Sequence, residues 1–347
     1  MKKLSKLAAV VLALAMVLAL ASCGSSTSTS TTTTDATSAS ASGSAESSAA
    51  TTTDGKTYKI GICQLVQHDA LDAANQGFQD ALTEKLGDAV TFDDQNASGD
   101  SANCSTIVNG FVSDGDDLIL AIATSPLQAA AAATADIPVL GTAVTDYATA
   151  LEIDDWTGTV GSNVSGTSDL APLDQQAAML NELFPDAKTV GLLYCSAEPN
   201  SVYQCNVIKG YLEEYGYTVE YYAFNDTNDV TAVTETAADN SDVIYIPTDN
   251  TAASNTEAIA NVVLAKNVPV IAGEEGICSG CGVATLSISY YDLGYQTGLM
   301  AYDILVNGAD VTTMAVQTAP SVTKKYNAAN CEALGITVPD DYEAISE

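Results

Sequence analysis

The chain has 347 residues, with 44 acidic side chains against 11 lysines and no arginine, for a net charge of −33. That balance excludes nucleic acid and polyphosphate as partners, because phosphate affinity depends on basic patches that neutralise it. A small anion would have to be held by helix N-termini, hydroxyls or an occasional lysine, and the length suits about two ordinary domains.

The first elements are not part of a folded body. Lys2, Lys3 and Lys6 precede a short apolar run from Leu7 to Leu20, and "LASC" closes it at Cys23. Residues 1–22 therefore read as a secretory signal, too short and wrongly flanked to span a membrane. The small residues before Cys23 resemble a bacterial lipobox, which makes Cys23 the expected site of lipidation. Residues 23–57 are mostly Ser, Thr, Ala and Gly and cannot bury enough apolar surface to offset ordering, so they are expected to form a flexible tether. Loss of the leader leaves 8 lysines against 44 acidic residues, a net charge of −36. Seven cysteines follow Cys23, an odd number that leaves at least one without an intrachain partner.

From Tyr58 onward, apolar strands alternate with helical patterns, the signature of βα units on a parallel sheet. The pattern occurs twice. "KIGICQLVQHDALDAANQGFQDAL" from Lys59 corresponds to "TVGLLYCSAEPNSVYQCNVIKGYL" from Thr189, and "VTFDDQNASGD" from Val90 to "VEYYAFNDTND" from Val219. "LILAIATSPLQAAAA" from Leu118 matches "VIYIPTDNTAASNT" from Val243, and "IPVLGTAVTD" from Ile137 matches "VPVIAGEEGI" from Val268. The four offsets are 130, 129, 125 and 131 residues, so the repeats are collinear. The predicted fold is α/β, with two similar doubly wound parallel-sheet lobes. The Gly/Ser-rich 158–170 segment carries the first crossing between them. A late helix over 290–308 and a strand candidate at Met314–Ala319 imply that the chain crosses back through a hinge of several strands. The expected division is 58–164 with about 290–310 for lobe 1, and 165–289 with about 311–347 for lobe 2.

Parallel sheets bind ligands beyond the carboxyl ends of their strands, so the turns after each strand are the candidate site. Superposing the repeats places Ser125 of "IATS" on Asp249 of "IPTD". With Pro126 at the first helical position, Ser125 is a natural N-cap beside free amides that could hold a carboxylate. Asp249 is an acceptor for an ammonium. The capping-box pattern "SNTE" at 254–257 implies that the helix starts there and releases Asp249 from capping. Thr142 is assigned to the carboxylate, while Asp146 and Glu275 are secondary ammonium or hinge candidates; Tyr147 and Tyr203 are stacking candidates. Signals of catalysis are weak: His68 is the lone histidine, and no nucleophile elbow or zinc helix occurs. "CSGC" at Cys278–Cys281 reads as a disulfide or free thiols in a Gly-rich loop, without a basic neighbour to activate it. No metal, cofactor or enzymatic activity is expected.

These residues resemble a known family. "IGICQLVQHDALDAANQGF", "DDQNASGD", "IATSPLQAA", "TAVTD", "EPNSVYQ", "PTDN" and "ATLSISYYDLGYQTG" are similar to the tryptophan/tyrosine-type substrate-binding lipoproteins of ABC transporters, from about Tyr58 to Pro339. The resemblance implies a type I periplasmic-binding fold, a Venus flytrap that closes on an aromatic amino acid and delivers it to a permease and its ATPase, outside the cytoplasm. A monomer held to the membrane through Cys23 is expected. The matching cleft positions are Gln64, Thr124, Ser125, Thr142, Asp146, Asn200, Ser201, Asp249 and Asn250. The chain departs from the pattern at Asp69 and Tyr147, where proline is usual, and in its cysteine pair. A sugar or nucleoside receptor of the same fold, or a ligand sensor without a transporter, are the alternatives; the lack of arginine counts against the first.

Overall fold

The computed structural model describes residues 55–319 and 321–346; the leader, Cys23 and the tether up to residue 54 lie outside the described residues. The first lobe opens with β1 (Tyr58–Gln64), α1 (Asp69–Leu86), β2 (Val90–Asn96) and α2 (Ser101–Asp114). It continues with β3 (Leu118–Ile122), α3 (Thr124–Ala133), β4 (Val139–Val144), α4 (Tyr147–Ala150) and β5 (Val164–Ser168). The second lobe begins with α5 (Leu173–Leu183), β6 (Thr189–Cys195), α6 (Pro199–Glu214), β7 (Thr218–Phe224), α7 (Val230–Asn240) and β8 (Val243–Ile246). Then come α8 (Asn250–Ala253), α9 (Thr256–Val263), β9 (Val270–Ala272), α10 (Glu275–Cys281) and β10 (Ala284–Ser287). The tail holds α11 (Tyr290–Leu305), β11 (Gln317–Thr318), β12 (Thr323–Tyr326), α12 (Ala328–Leu334) and β13 (Glu343–Ala344).

Two sheets result, with strand orders β11-β5-β4-β3-β1-β2 and β13-β12-β10-β9-β8-β6-β7. β1 to β5 and β6 to β10 thus take the same spatial order, which is the structural form of the sequence repeat. These strands are all parallel to their neighbours, whereas β12 runs antiparallel to β10. Every residue of β3 and β8 is buried, as strands covered by helices on both faces require. One core fills the first lobe, and two lie on opposite faces of the second sheet.

The chain passes between the sheets three times: after β5, after β10, and between β11 and β12. Two expected boundaries shift as a result. Residues 165–168 were assigned to the second lobe but complete β5, the fifth parallel strand of the first sheet. This strand is polar, which disguises it as linker, yet its hydroxyls are satisfied: Ser165 Oγ donates to the Met314 carbonyl, and Thr167 Oγ1 to Thr142 Oγ1. At Gly166, φ is +142° and a Cβ would meet the Gly141 carbonyl at 2.0 Å, so only glycine fits this close strand pairing. The tail also divides, because β11 joins the first sheet while β12 and β13 join the second.

After the second crossing, α11 returns to the first lobe and packs along α1. A Cβ at Gly294 would stand 1.9 Å from the Ala74 carbonyl oxygen, so the two helices touch backbone to backbone. Ser289 caps α11 by accepting from the Asp292 amide, and Tyr58 Oη donates to the Leu305 carbonyl at the other end. Gly294→Ala is expected to force the helices apart and cost about 3 kcal/mol, read as a lower urea midpoint; an unchanged midpoint would refute this packing.

Candidate functional site

The loops at the carboxyl ends of the two sheets meet face to face. Thr145 Oγ1, after β4, lies 3.3 Å from Thr248 Oγ1, after β8. His68 Nε2, before α1, lies 3.2 Å from the Asn250 amide oxygen, which makes Nε2 the protonated ring nitrogen of a neutral imidazole. Burial lowers the proton affinity of His68 and favours that neutral form. Behind these contacts lies a chamber of about 10 Å³, room for about one water molecule, so a larger ligand is admitted only as its walls part. The lobes are closed.

The chamber walls are acidic. Asp169, Asp249 and Glu274 line it, and Glu198 stands just behind Asp249; they are 4, 1, 3 and 6% exposed. No lysine lines the chamber. Such groups survive burial only with strong hydrogen bonds, and backbone amides at helix starts supply most of them. Asp249 accepts from the Cys195 amide at 2.6 Å and the Ala252 amide at 2.8 Å, so both of its oxygens are engaged. Glu198 receives the amides of Asn250 and Thr251 and the Thr251 hydroxyl. Glu274 caps α10 through the Gly276 and Ile277 amides. Asp169 differs: Tyr290 Oη donates to Oδ2 at 2.9 Å, and the Thr145 hydroxyl stands close enough to favour the charged form, yet Oδ1 has no partner within hydrogen-bond distance.

These environments raise the affinity of Asp169, Asp249 and Glu274 for protons. Burial pushes Glu274 up to about 7 and raises Asp169 as well. Burial, and then the charge of Glu198, raises Asp249.

The predicted site residues separate into several groups. Asn200, Asp249 and Asn250 do line the chamber. Ser201 is buried beside them, where its hydroxyl supports Asp249 and accepts from Asn200 Nδ2. Asp249, however, is not released from capping: it is the N-cap of α8, and the helix at Thr256 starts from Asn255 without a side-chain cap. Ser125 is not an N-cap either. α3 begins two residues earlier than expected, at Thr124 from Ala123 at φ 90°, with no side-chain cap on its first amides. Ser125 borders an outer cavity of the cleft with Glu198 and Asn250, so it does not face Asp249. Thr124 is buried at the same helix start.

Thr142 lies wholly inside the first lobe, accepting from Thr167, and Gln64 is tied to Asn75, Asp72 and the Val66 carbonyl. Neither lines the chamber. Asp146 caps α4 by accepting from the Thr149 amide. Glu275 is engaged by Lys325 Nζ at 2.6 Å and by the Ser287 hydroxyl, facing a different cavity. Tyr147 is core, donating to the Thr167 carbonyl, and Tyr203 does not border the chamber. The "CSGC" segment forms α10 rather than a loop, and Cys278 and Cys281 are buried free thiols, as are the other five described cysteines. Burial raises the proton affinity of both α10 thiols, the reverse of what a reactive cysteine requires.

Asp169, Glu198 and Tyr290 were not singled out from sequence, His68 was noted only as the lone histidine, and of the pair Glu274-Glu275 it was Glu275 that was preferred. The positions of Glu274 and Glu198, in the turns after β9 and β6, carried the signal that could have found the two glutamates.

A family model described as "ABC transporter substrate binding protein" matches residues 59–346, and the chain belongs to this family. A relative in Clostridioides difficile, named tyrosine-binding protein, is 38% identical over 270 residues, covering 77% of this chain and 78% of its own. An ABC domain from Streptococcus pneumoniae solved in complex with L-Trp is 33% identical, with a TM-score of 0.80 over 84% of this chain and all of that one. A ligand-free, open substrate binding protein with adhesive properties from Clostridium difficile is 38% identical over 84% of this chain and 99% of its own, yet its TM-score is 0.64. The more similar sequence superposes less well on this closed structure, as expected when lobes rotate about a hinge.

The raised pKa of Glu274 fixes a pH dependence. A carboxyl whose folded value lies above its unfolded one contributes stability at low pH that is lost as pH rises through about 7. The unliganded protein should therefore melt at a higher temperature at pH 6 than at pH 8, and Glu274→Gln should reduce the difference. An identical difference in the variant would rule out this source.

Proposed function

We propose that the chain is the ligand-capturing component of an ABC importer and that its ligand is an amino acid, most suitably an aromatic one such as tyrosine or tryptophan. One observation carries this reading: a closed inter-lobe chamber walled by buried carboxylates and without a lysine. A neutral sugar would leave those charges uncompensated, whereas an α-ammonium offers them a cation. The faces of Leu71, Ala143, Ala253 and Tyr290 supply an apolar surface for a side chain. The ligand carboxylate is assigned to the uncapped start of α3, at the Thr124 and Ser125 amides; Ser125 borders the outer cavity that shares Asn250 with the chamber, so the ligand reaches from the chamber into that cavity. The names of the 38% and 33% identical relatives support the same ligand class.

On this reading the protein works outside the cytoplasm, anchored through a lipid on Cys23, as a monomer that presents its closed, loaded form to a permease and its ATPase. Among the described residues, no helix is long and apolar enough to cross a membrane. Capture and release involve no bond making; the thiols of α10 are buried away from any such role. A thermal-shift panel of the twenty amino acids, sugars and nucleosides tests the proposal. Tyrosine or tryptophan should stabilise by about 2.7 kcal/mol at a hundredfold excess over Kd. Stabilisation by a sugar or nucleoside and by no amino acid would overturn it.

A further inference from the structure

We propose that Asp169, oriented by Tyr290, receives the ammonium of the ligand; this rests on reading the chamber as an amino-acid site. Three acidic groups line the space and Glu198 stands behind Asp249; of the four, all but Asp169 have both oxygens committed. Glu198 and Glu274 are engaged by amides at the starts of α8 and α10, and Asp249 by the Ala252 amide of α8 and the Cys195 amide at the end of β6. Asp169 alone presents an unpartnered oxygen while being 4% exposed and lining the chamber. A carboxylate only accepts, so that oxygen needs a donor. The protein offers none with a charge: no lysine lines the chamber, and the Nε2 proton of His68 is engaged by Asn250. The Tyr290 hydroxyl fixes the carboxylate through its other oxygen, leaving Oδ1 for the ligand.

Position supports the assignment. β3 and β5 flank β4 in the first sheet, so the start of α3 and Asp169 lie two strand spacings apart, about 10 Å. Two hydrogen bonds of about 2.9 Å with the carboxylate and ammonium of one α-amino acid between them bridge that span. Asp169 directly follows β5 at the first crossing, and Tyr290 opens α11 just after the second. The ammonium is then gripped by two of the three segments that join the lobes, and the side chain is left to extend into the cleft.

Titration calorimetry with L-tyrosine and L-tryptophan, and with their des-amino analogues 3-(4-hydroxyphenyl)propionate and 3-(indol-3-yl)propionate, tests this directly. Wild type should prefer the amino acids by about a hundredfold. Asp169→Asn should abolish that preference while leaving the analogues within about threefold, and its unliganded melting temperature should be unchanged or higher. Tyr290→Phe, which keeps the ring, should reduce the preference about tenfold and decides the matter if the first variant fails to fold. Amino-acid affinity retained in both variants, or equal losses for amino acids and analogues, would overturn the inference. Failure of wild type to bind either amino acid would instead overturn the functional reading beneath it.

Discussion

Everything around the cleft depends on one constraint, the burial of carboxylates where the lobes meet without a lysine among them. A buried charge without partners costs several kcal/mol, so the local architecture is organised to supply donors. The four-residue helix α8 starts where its amides serve both Asp249 and Glu198, and α10 starts where its amides serve Glu274. These short helices act as donor clusters for the acids beside them. What the backbone leaves incomplete, chiefly at Asp169, a cationic ligand would complete. Closure and charge compensation then become one event, because the closed state makes contacts that the open state lacks.

The hinge is built to transmit that event. β5, β10 and β11 end at the crossings, and α11 locks the second crossing to the first lobe through its backbone contact with α1 at Gly294. Asp169 and Tyr290 join two crossings by a single hydrogen bond. Thr145 with Thr248, and His68 with Asn250, fasten the cleft from the other side. Both sets of contacts use uncharged donors, so none of them neutralises the acidic chamber.

The repeat made the two-lobed sheet order legible, because buried parallel strands such as "LILAI" and "VIYI" are continuous apolar runs that periodicity detects. β5 was hidden, since "VSGTS" draws its stability from hydroxyl pairs and a glycine contact with a distant strand rather than from apolar side chains. The repeat paired Ser125 with Asp249 across the cleft, and the structure separates them. Asp249 reaches the chamber, but α3 starts two residues earlier than that pattern implies, from Ala123 at positive φ, and Ser125 borders the outer cleft. Asp169 was unreadable for a related reason: its importance arises from what Tyr290, distant in sequence, leaves unpaired. Glu275 showed the converse, as Lys325 on β12 claims a carboxylate that local sequence leaves free.

The central claim is that a ligand ammonium permits the acidic chamber to close. Small-angle X-ray scattering of the protein at neutral pH, with and without saturating L-tyrosine or L-tryptophan, tests it most directly. The account predicts a larger radius of gyration without ligand, contracting on addition of the amino acid toward the value calculated for the closed structure. A closed profile in both conditions, or contraction by a des-amino analogue as complete as that by the amino acid, would contradict it.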